Sequence, residues 1–236
     1  MANTWFQFKQ FKVEQSKAAM KVGTDGVLLG AWVDVDNSKT ALDIGTGTGL
    51  IALMLAQKNN NLEIDAVELD KSASIQAEFN FKSSPWLSRL KIFNSSIQDF
   101  NNKNKYDLIV SNPPYFDSSF LAKGQQRQIA RHTNTLSIDD LIKSAKRLLN
   151  RNGKLSLILP YTNSLDFITI AKEHQLYLNR ITKVYPTNTS QVKRALIEFS
   201  FNKDVIREDK LVIEPTNRHE YSKEYIDLTK DFYLKL

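Results

Sequence analysis

Ala41-Leu42-Asp43-Ile44-Gly45-Thr46-Gly47-Thr48-Gly49-Leu50 decides how this chain is read. A short apolar run stops at a turn in which every second residue is glycine, and residues 50–57 then carry a helical pattern. Strand, glycine-rich turn and helix let bare backbone N–H groups approach a ligand closely, because glycine has no Cβ to hold it off. About twenty residues on, the run Glu63-Ile64-Asp65-Ala66-Val67 ends at Glu68, where an acidic side chain in such folds takes ribose hydroxyls. The turn and the acid together predict a nucleoside-type cofactor. Its spacing, Gly-x-Gly-x-Gly, departs from the dinucleotide fingerprint Gly-x-Gly-x-x-Gly and argues against NAD.

Outward from this unit the pattern repeats. Residues 71–82 read as a helix whose Ala73, Ile75, Ala77 and Phe79 should cover one face of a sheet. Residues 90–93 read as a strand, followed by a polar loop containing Ser96, placed where a cofactor base would lie. The next apolar run, Tyr106-Asp107-Leu108-Ile109-Val110, stops at Ser111-Asn112-Pro113-Pro114-Tyr115. Each proline fixes its own φ and restricts the residue before it, so the loop is stiff before any substrate arrives. The Asn112 side-chain carbonyl, the Pro113 backbone carbonyl and the Tyr115 ring place two acceptors beside a flat surface, which suits a planar NH2 group. An ordinary strand-ending turn is the alternative. Four strands with crossovers predict an α/β fold with a mostly parallel, doubly wound sheet.

Residues 116–135 form a long polar stretch carrying Lys123, Arg127 and Arg131, either a solvated loop or a basic flap that grips phosphates. Ser137 caps a helix running to Leu149, a strand follows over 154–159, and residues 161–174 form another helix. Residues 176–185 and 195–201 alternate as a terminal antiparallel pair. The expected organisation is one domain over 1–236, with an N-terminal segment (1–40), a core (41–202) and a C-terminal extension (203–236) that adds a short strand and a helix. In the N-terminal segment, Trp5, Phe6, Phe8 and Phe11 interleave with Lys9 and Lys12. That pattern serves either base stacking or an amphipathic strand with Phe6, Phe8 and Trp5 buried.

The 236 residues are 42% hydrophobic and 25% charged, a globular composition without a run long enough to span a membrane. No cysteine is present, which removes disulfides and thiolate chemistry and fits a cytoplasmic protein. A net charge of +6 and a pI near 9.3 make a nucleic-acid partner reasonable. The three histidines, His132, His174 and His219, lack metal-site spacing, and no nucleophile elbow or phosphate loop occurs.

The glycine turn, Glu68 and Asn112-Pro113-Pro114-Tyr115, in this order, resemble the class I S-adenosylmethionine-dependent methyltransferases that modify amino groups, with their Rossmann-like fold. The resemblance implies that Asp43, Gly45, Gly47, Gly49 and Glu68 hold S-adenosylmethionine. It also implies that Asn112, Pro113, Pro114 and Tyr115 hold the acceptor amine. Many relatives carry an acid for the cofactor adenine where this chain has Ser96. The segments 8–13, 19–32 and 228–233 extend the resemblance, over nearly the whole chain, to bacterial methyltransferases acting on adenine N6 in valine tRNA. Its implied partner is a tRNA anticodon loop, gripped in part by Lys123, Arg127 and Arg131, and the expected enzyme is a metal-free monomer. Methylation of another base or of a glutamine amide, and a non-catalytic RNA-binding module, are the rival readings. An extra N-terminal helical domain, usual in the glutamine-modifying enzymes, finds no room before Gly45.

Overall fold

The computed structural model describes residues 3–17, 21–102, 104–114 and 136–235; Tyr115, Lys123, Arg127 and Arg131 lie outside them. The chain opens with an antiparallel hairpin, β1 (Trp5–Gln7) and β2 (Lys12–Glu14), followed by helix α1 (Thr24–Trp32). Next come β3 (Thr40–Ile44), α2 (Leu50–Lys58), β4 (Glu63–Glu68), α3 (Lys71–Lys82), β5 (Leu90–Asn94) and β6 (Tyr106–Ser111). The second half contains α4 (Ile138–Leu148), β7 (Leu149–Pro160), α5 (Tyr161–Glu173), β8 (Tyr177–Tyr185), β9 (Arg194–Ser200), β10 (Arg207–Val212) and α6 (Lys223–Thr229).

The main sheet has the strand order β10-β8-β9-β7-β6-β3-β4-β5, with β9 antiparallel to both of its neighbours and the other pairings parallel. A parallel sheet must be covered on both faces, and alternation along each strand supplies two cores. Ala41, Leu108 and Val110 point into one, with the hairpin, α1, α2 and Phe81 of α3. Leu42, Ile44 and Ile109 point into the other, with α4 and α5. The chain leaves β3 toward β4 and β5 on one side and returns to β6 and β7 on the other. The order therefore reverses between β3 and β6, and the crevice beyond their carboxyl ends is where open α/β sheets bind ligands.

Three expectations change. The antiparallel pair is not terminal, because β9 inserts between β7 and β8 and β10 adds a parallel strand outside β8. Helix α3 buries Ala73, Ala77 and Phe81 but leaves Ile75 47% and Phe79 53% exposed, because Gln76 and Asn80 turn inward to hydrogen-bond the hairpin. Trp5 is 45% exposed, whereas Phe8 and Phe11 are buried, stacked on each other at 4.7 Å between ring centroids. Phe8 also stacks on Tyr233, and Phe11 meets Trp86 edge-on. Most of the N-terminal aromatics are thus core.

Candidate active site

The glycine turn is built by conformation. Gly45, Gly47 and Gly49 have φ of +68°, +58° and +84°, a region that side chains other than glycine adopt at a cost. A Cβ added at Gly45 or Gly47 would meet nothing within 4 Å, whereas at Gly49 it would lie 2.5 Å from Cε1 of Phe81. Two glycines therefore leave a bare cradle, and the third admits the aromatic ring of α3. The Gly45 and Thr46 N–H groups donate to the Val67 carbonyl, which ties the turn to the end of β4.

Asp43 lies beneath the turn, fully buried. Its Oδ2 accepts from Thr46 Oγ1 at 2.6 Å and from the Ala52 N–H at 3.2 Å. Oδ1 is buried and has no hydrogen-bond partner among the described residues. Burial, reinforced by the nearby Glu68 charge, pushes the carboxyl up to about 7 against the pull of those two donors. An orphaned acceptor beneath a turn free of side chains at Gly45 and Gly47 fits a ligand that carries its own donor, since a buried acceptor left unpaired is costly.

Glu68, at the end of β4, accepts from the Gly47 N–H at 2.8 Å through Oε2 and from the Asp70 N–H at 2.9 Å through Oε1. The acid is thus anchored on the turn itself. Ser96 engages Asp99: its Oγ donates to Asp99 Oδ2 at 2.7 Å and accepts from the Asp99 N–H at 3.1 Å. A carboxylate, absent at position 96, thus lies three residues later, bonded to Ser96. Asp99 escapes a reading by position, although a serine followed three residues on by an acid is a recognisable capping signal.

Asn112, Pro113 and Pro114 follow β6 directly, and Ser111 is the register partner of Ile44 in β3. Ser111 Oγ donates to the Ile44 carbonyl at 2.8 Å, so the two strand ends are latched where the glycine turn and the proline loop begin. Asn112 is half-buried, Pro113 buried and Pro114 exposed. The acceptor-bearing loop and the cradle are therefore adjacent. Two further elements close round them. Asp25, in the first turn of α1, accepts from Arg194 Nε at 2.7 Å, joining α1 to the start of β9. Gly26 lets α1 press on Leu50, the first residue of α2, since a Cβ there would reach 3.0 Å from that side chain. Arg194 carries no local sequence signal, because its partner lies 169 positions away.

His174 pairs with Asp139 at 3.0 Å between α4 and α5, and His219 sits in a surface turn, so neither reaches the crevice. Among the described residues no cluster of His, Asp and Glu could hold a metal.

The family model for the methyltransferase small domain matches residues 15–173. The chain is 50% identical over 234 residues, covering 98% of it and all of the relative, to the tRNA1(Val) (adenine(37)-N6)-methyltransferase of Flavobacterium psychrophilum. It is 48% identical over 236 residues, covering both chains completely, to the protein of that name in Phocaeicola vulgatus. Among solved structures, a predicted O-methyltransferase from Agrobacterium tumefaciens superposes with a TM-score of 0.69 at 19% identity, covering 88% of this chain and 96% of that one, a likeness of fold. By the family model and by relatives matched end to end, this chain belongs to the methyltransferase small-domain family.

Proposed function

We propose that this protein methylates N6 of adenine 37 in a tRNA1(Val)-type anticodon loop, with S-adenosylmethionine as donor. The observation that carries the reading is the latch between Ser111 and Ile44, which sets the Asn112-Pro113-Pro114 loop beside the glycine cradle, so that an amine and a methyl donor would meet. The full-length relatives bear the same activity in their names.

In this reading Gly45 and Gly47, with no side chain to hold it off, let the cofactor approach the turn closely, and Glu68 takes its ribose. Asp43 Oδ1 receives a donor from it, and Ser96 with Asp99 borders its adenine. When bound, S-adenosylmethionine supplies an electrophilic methyl group on a sulfonium. An exocyclic adenine amine is a poor nucleophile because its lone pair is delocalised into the ring. As the new N–C bond forms and the S–C bond breaks, the nitrogen gains positive charge and then sheds a proton. The Asn112 side-chain carbonyl and the Pro113 carbonyl accept hydrogen bonds from that nitrogen and stabilise the developing charge. Tyr115 stacks on the adenine after it leaves the loop, where an unpaired base unstacks at modest cost. Much of the rate then comes from positioning. Lys123, Arg127 and Arg131 meet phosphates of the same loop. Pro114, exposed beside Asn112, borders the base.

The test is to incubate the protein with labelled cofactor and total tRNA and to identify and map the product nucleoside. N6-methyladenosine at position 37 of the valine tRNA is the expected product. Label on another nucleoside, or none, overturns the reading.

A further inference from the structure

The N-terminal hairpin is more firmly fastened than so short a pair of strands requires. The inner face carries Phe6 and Val13, the latter fully buried. The free edge of β2 is completed by the side chain of Asn80, itself 1% exposed, as if by a third strand. Asn80 Oδ1 accepts from the Glu14 N–H at 2.9 Å, and Nδ2 donates to the Glu14 carbonyl at 2.9 Å and to the Thr48 carbonyl at 2.8 Å. One amide nitrogen thus bridges the hairpin and the glycine turn. Trp5 pairs with Glu14 across the hairpin, which puts it one strand spacing, about 5 Å, from that bridge.

The outer face is unlike the inner. Trp5 is 45% exposed, with Lys12 Nζ 5.5 Å from its ring centroid. Lys12 also pairs with the half-buried Glu14, while its own side chain stays 46% exposed. Lys17, pinned by its backbone N–H to Gln76 of α3, and Lys21 follow, both exposed. Residues 1–23 hold four lysines against one glutamate, a net +3 that is half of the chain's +6. An exposed indole beside concentrated positive charge matches the two surfaces of an unpaired nucleotide, a base face and a phosphate.

We propose that the outer face of the hairpin docks unpaired nucleotides of the RNA substrate, with the Trp5 indole stacking on a base and Lys12 and Lys17 meeting phosphates. The proposal rests on the reading of the protein as an RNA-modifying enzyme. Through Asn80, a nucleotide held there is in fixed register with the cofactor turn, so the hairpin would align the loop whose adenine enters the crevice.

Total tRNA, titrated into the full-length protein, tests this directly. Trp32 and Trp86 are 5% and 8% exposed, so RNA-induced quenching of tryptophan emission reads Trp5. Trp5→Ala is expected to raise the Kd for tRNA about tenfold, within the range for loss of one base stack, and to abolish the quenching. Cofactor Kd and Tm should stay as in the parent, because the indole is outside the core. Trp5→Phe should recover part of the affinity. Lys12→Gln with Lys17→Gln should lower the salt slope by about 1.4, roughly 0.7 for each lost contact to unpaired nucleotides. Wild-type methylation with unchanged tRNA affinity and quenching in Trp5→Ala overturns the docking surface and leaves the enzymatic reading standing. A wild-type protein that neither binds nor methylates tRNA sinks both.

Discussion

Asn112 and Asp43 each carry an oxygen that the proposed function assigns to a bound partner, and their removal should fail in different ways. Asn112 interacts with the amine more strongly as charge develops, so Asn112→Ala should lower kcat by roughly 10² to 10³ and leave cofactor affinity near that of the parent. Asn112→Asp, with acceptors of similar shape and a favourable charge, should regain part of the rate; single-turnover measurements at saturating tRNA and cofactor decide it. An unaltered rate in Asn112→Ala would reduce the residue to punctuation at a strand end. Asp43, pushed up to about 7, keeps its proton in the folded state over a range where the unfolded chain, titrating near 3.8, has lost it. Its contribution to stability is thus present at low pH and lost as pH rises from about 4 to 7. A donor brought to Oδ1 favours the ionised form, so cofactor affinity should rise with pH up to about 7 and level off. Calorimetry across pH 5.5 to 8.5 checks this, and Asp43→Asn should flatten the profile. Asn112 stood out as a candidate because an apolar run meets two prolines there, whereas Asp43, an acid inside an apolar strand, was a candidate only through the family resemblance. The pairing of Ser96 with Asp99 escaped the reading, although its spacing is that of a capping pair.

The glycine turn and helix α3 form one device, and the glycines divide its work. Gly47→Ala adds only the strain of a positive φ, about 1 to 2 kcal/mol, but its methyl enters the cradle and should abolish measurable cofactor binding in a folded protein. Gly49→Ala adds to the same strain an overlap with Phe81 and should cost about 2 to 5 kcal/mol of stability. Denaturant melts beside cofactor titrations separate the two, and equal stability loss would refute the division. The buried strands β3, β4 and β6 could be placed from their apolar runs. The inward face of α3 could not, since what draws Gln76 and Asn80 inside is a hairpin some sixty positions earlier, a tertiary demand that overrides the apolar residues Ile75 and Phe79. The insertion of β9 beside β7 is likewise decided by long-range pairing.

Across the whole molecule, the proposed cofactor site joins the turn after β3, the end of β4, the loop after β5 and the end of β6. A ligand held by all of these binds only the folded chain. At a hundred times its Kd, S-adenosylmethionine should add about 2.7 kcal/mol, which for a chain of this length raises Tm by roughly 5 to 10 °C. A scanning melt with and without cofactor measures it, and no shift at saturation would count against the site. The hairpin adds a condition of its own. Its Lys9 N–H donates to the Phe232 carbonyl at 2.8 Å, Lys9 Nζ reaches the Lys230 carbonyl across 221 positions, and Phe6 and Phe8 pack on Tyr233. The contact of the hairpin with Asn80 closes a loop of 66 positions, whereas its contact with Lys230 closes one of 221 and forms more slowly. A growing chain can therefore fasten the edge of the hairpin to α3 before the C-terminal residues seat its aromatic side. The residues after Lys230 would thus act as a late clamp on the side of the hairpin opposite the proposed docking face.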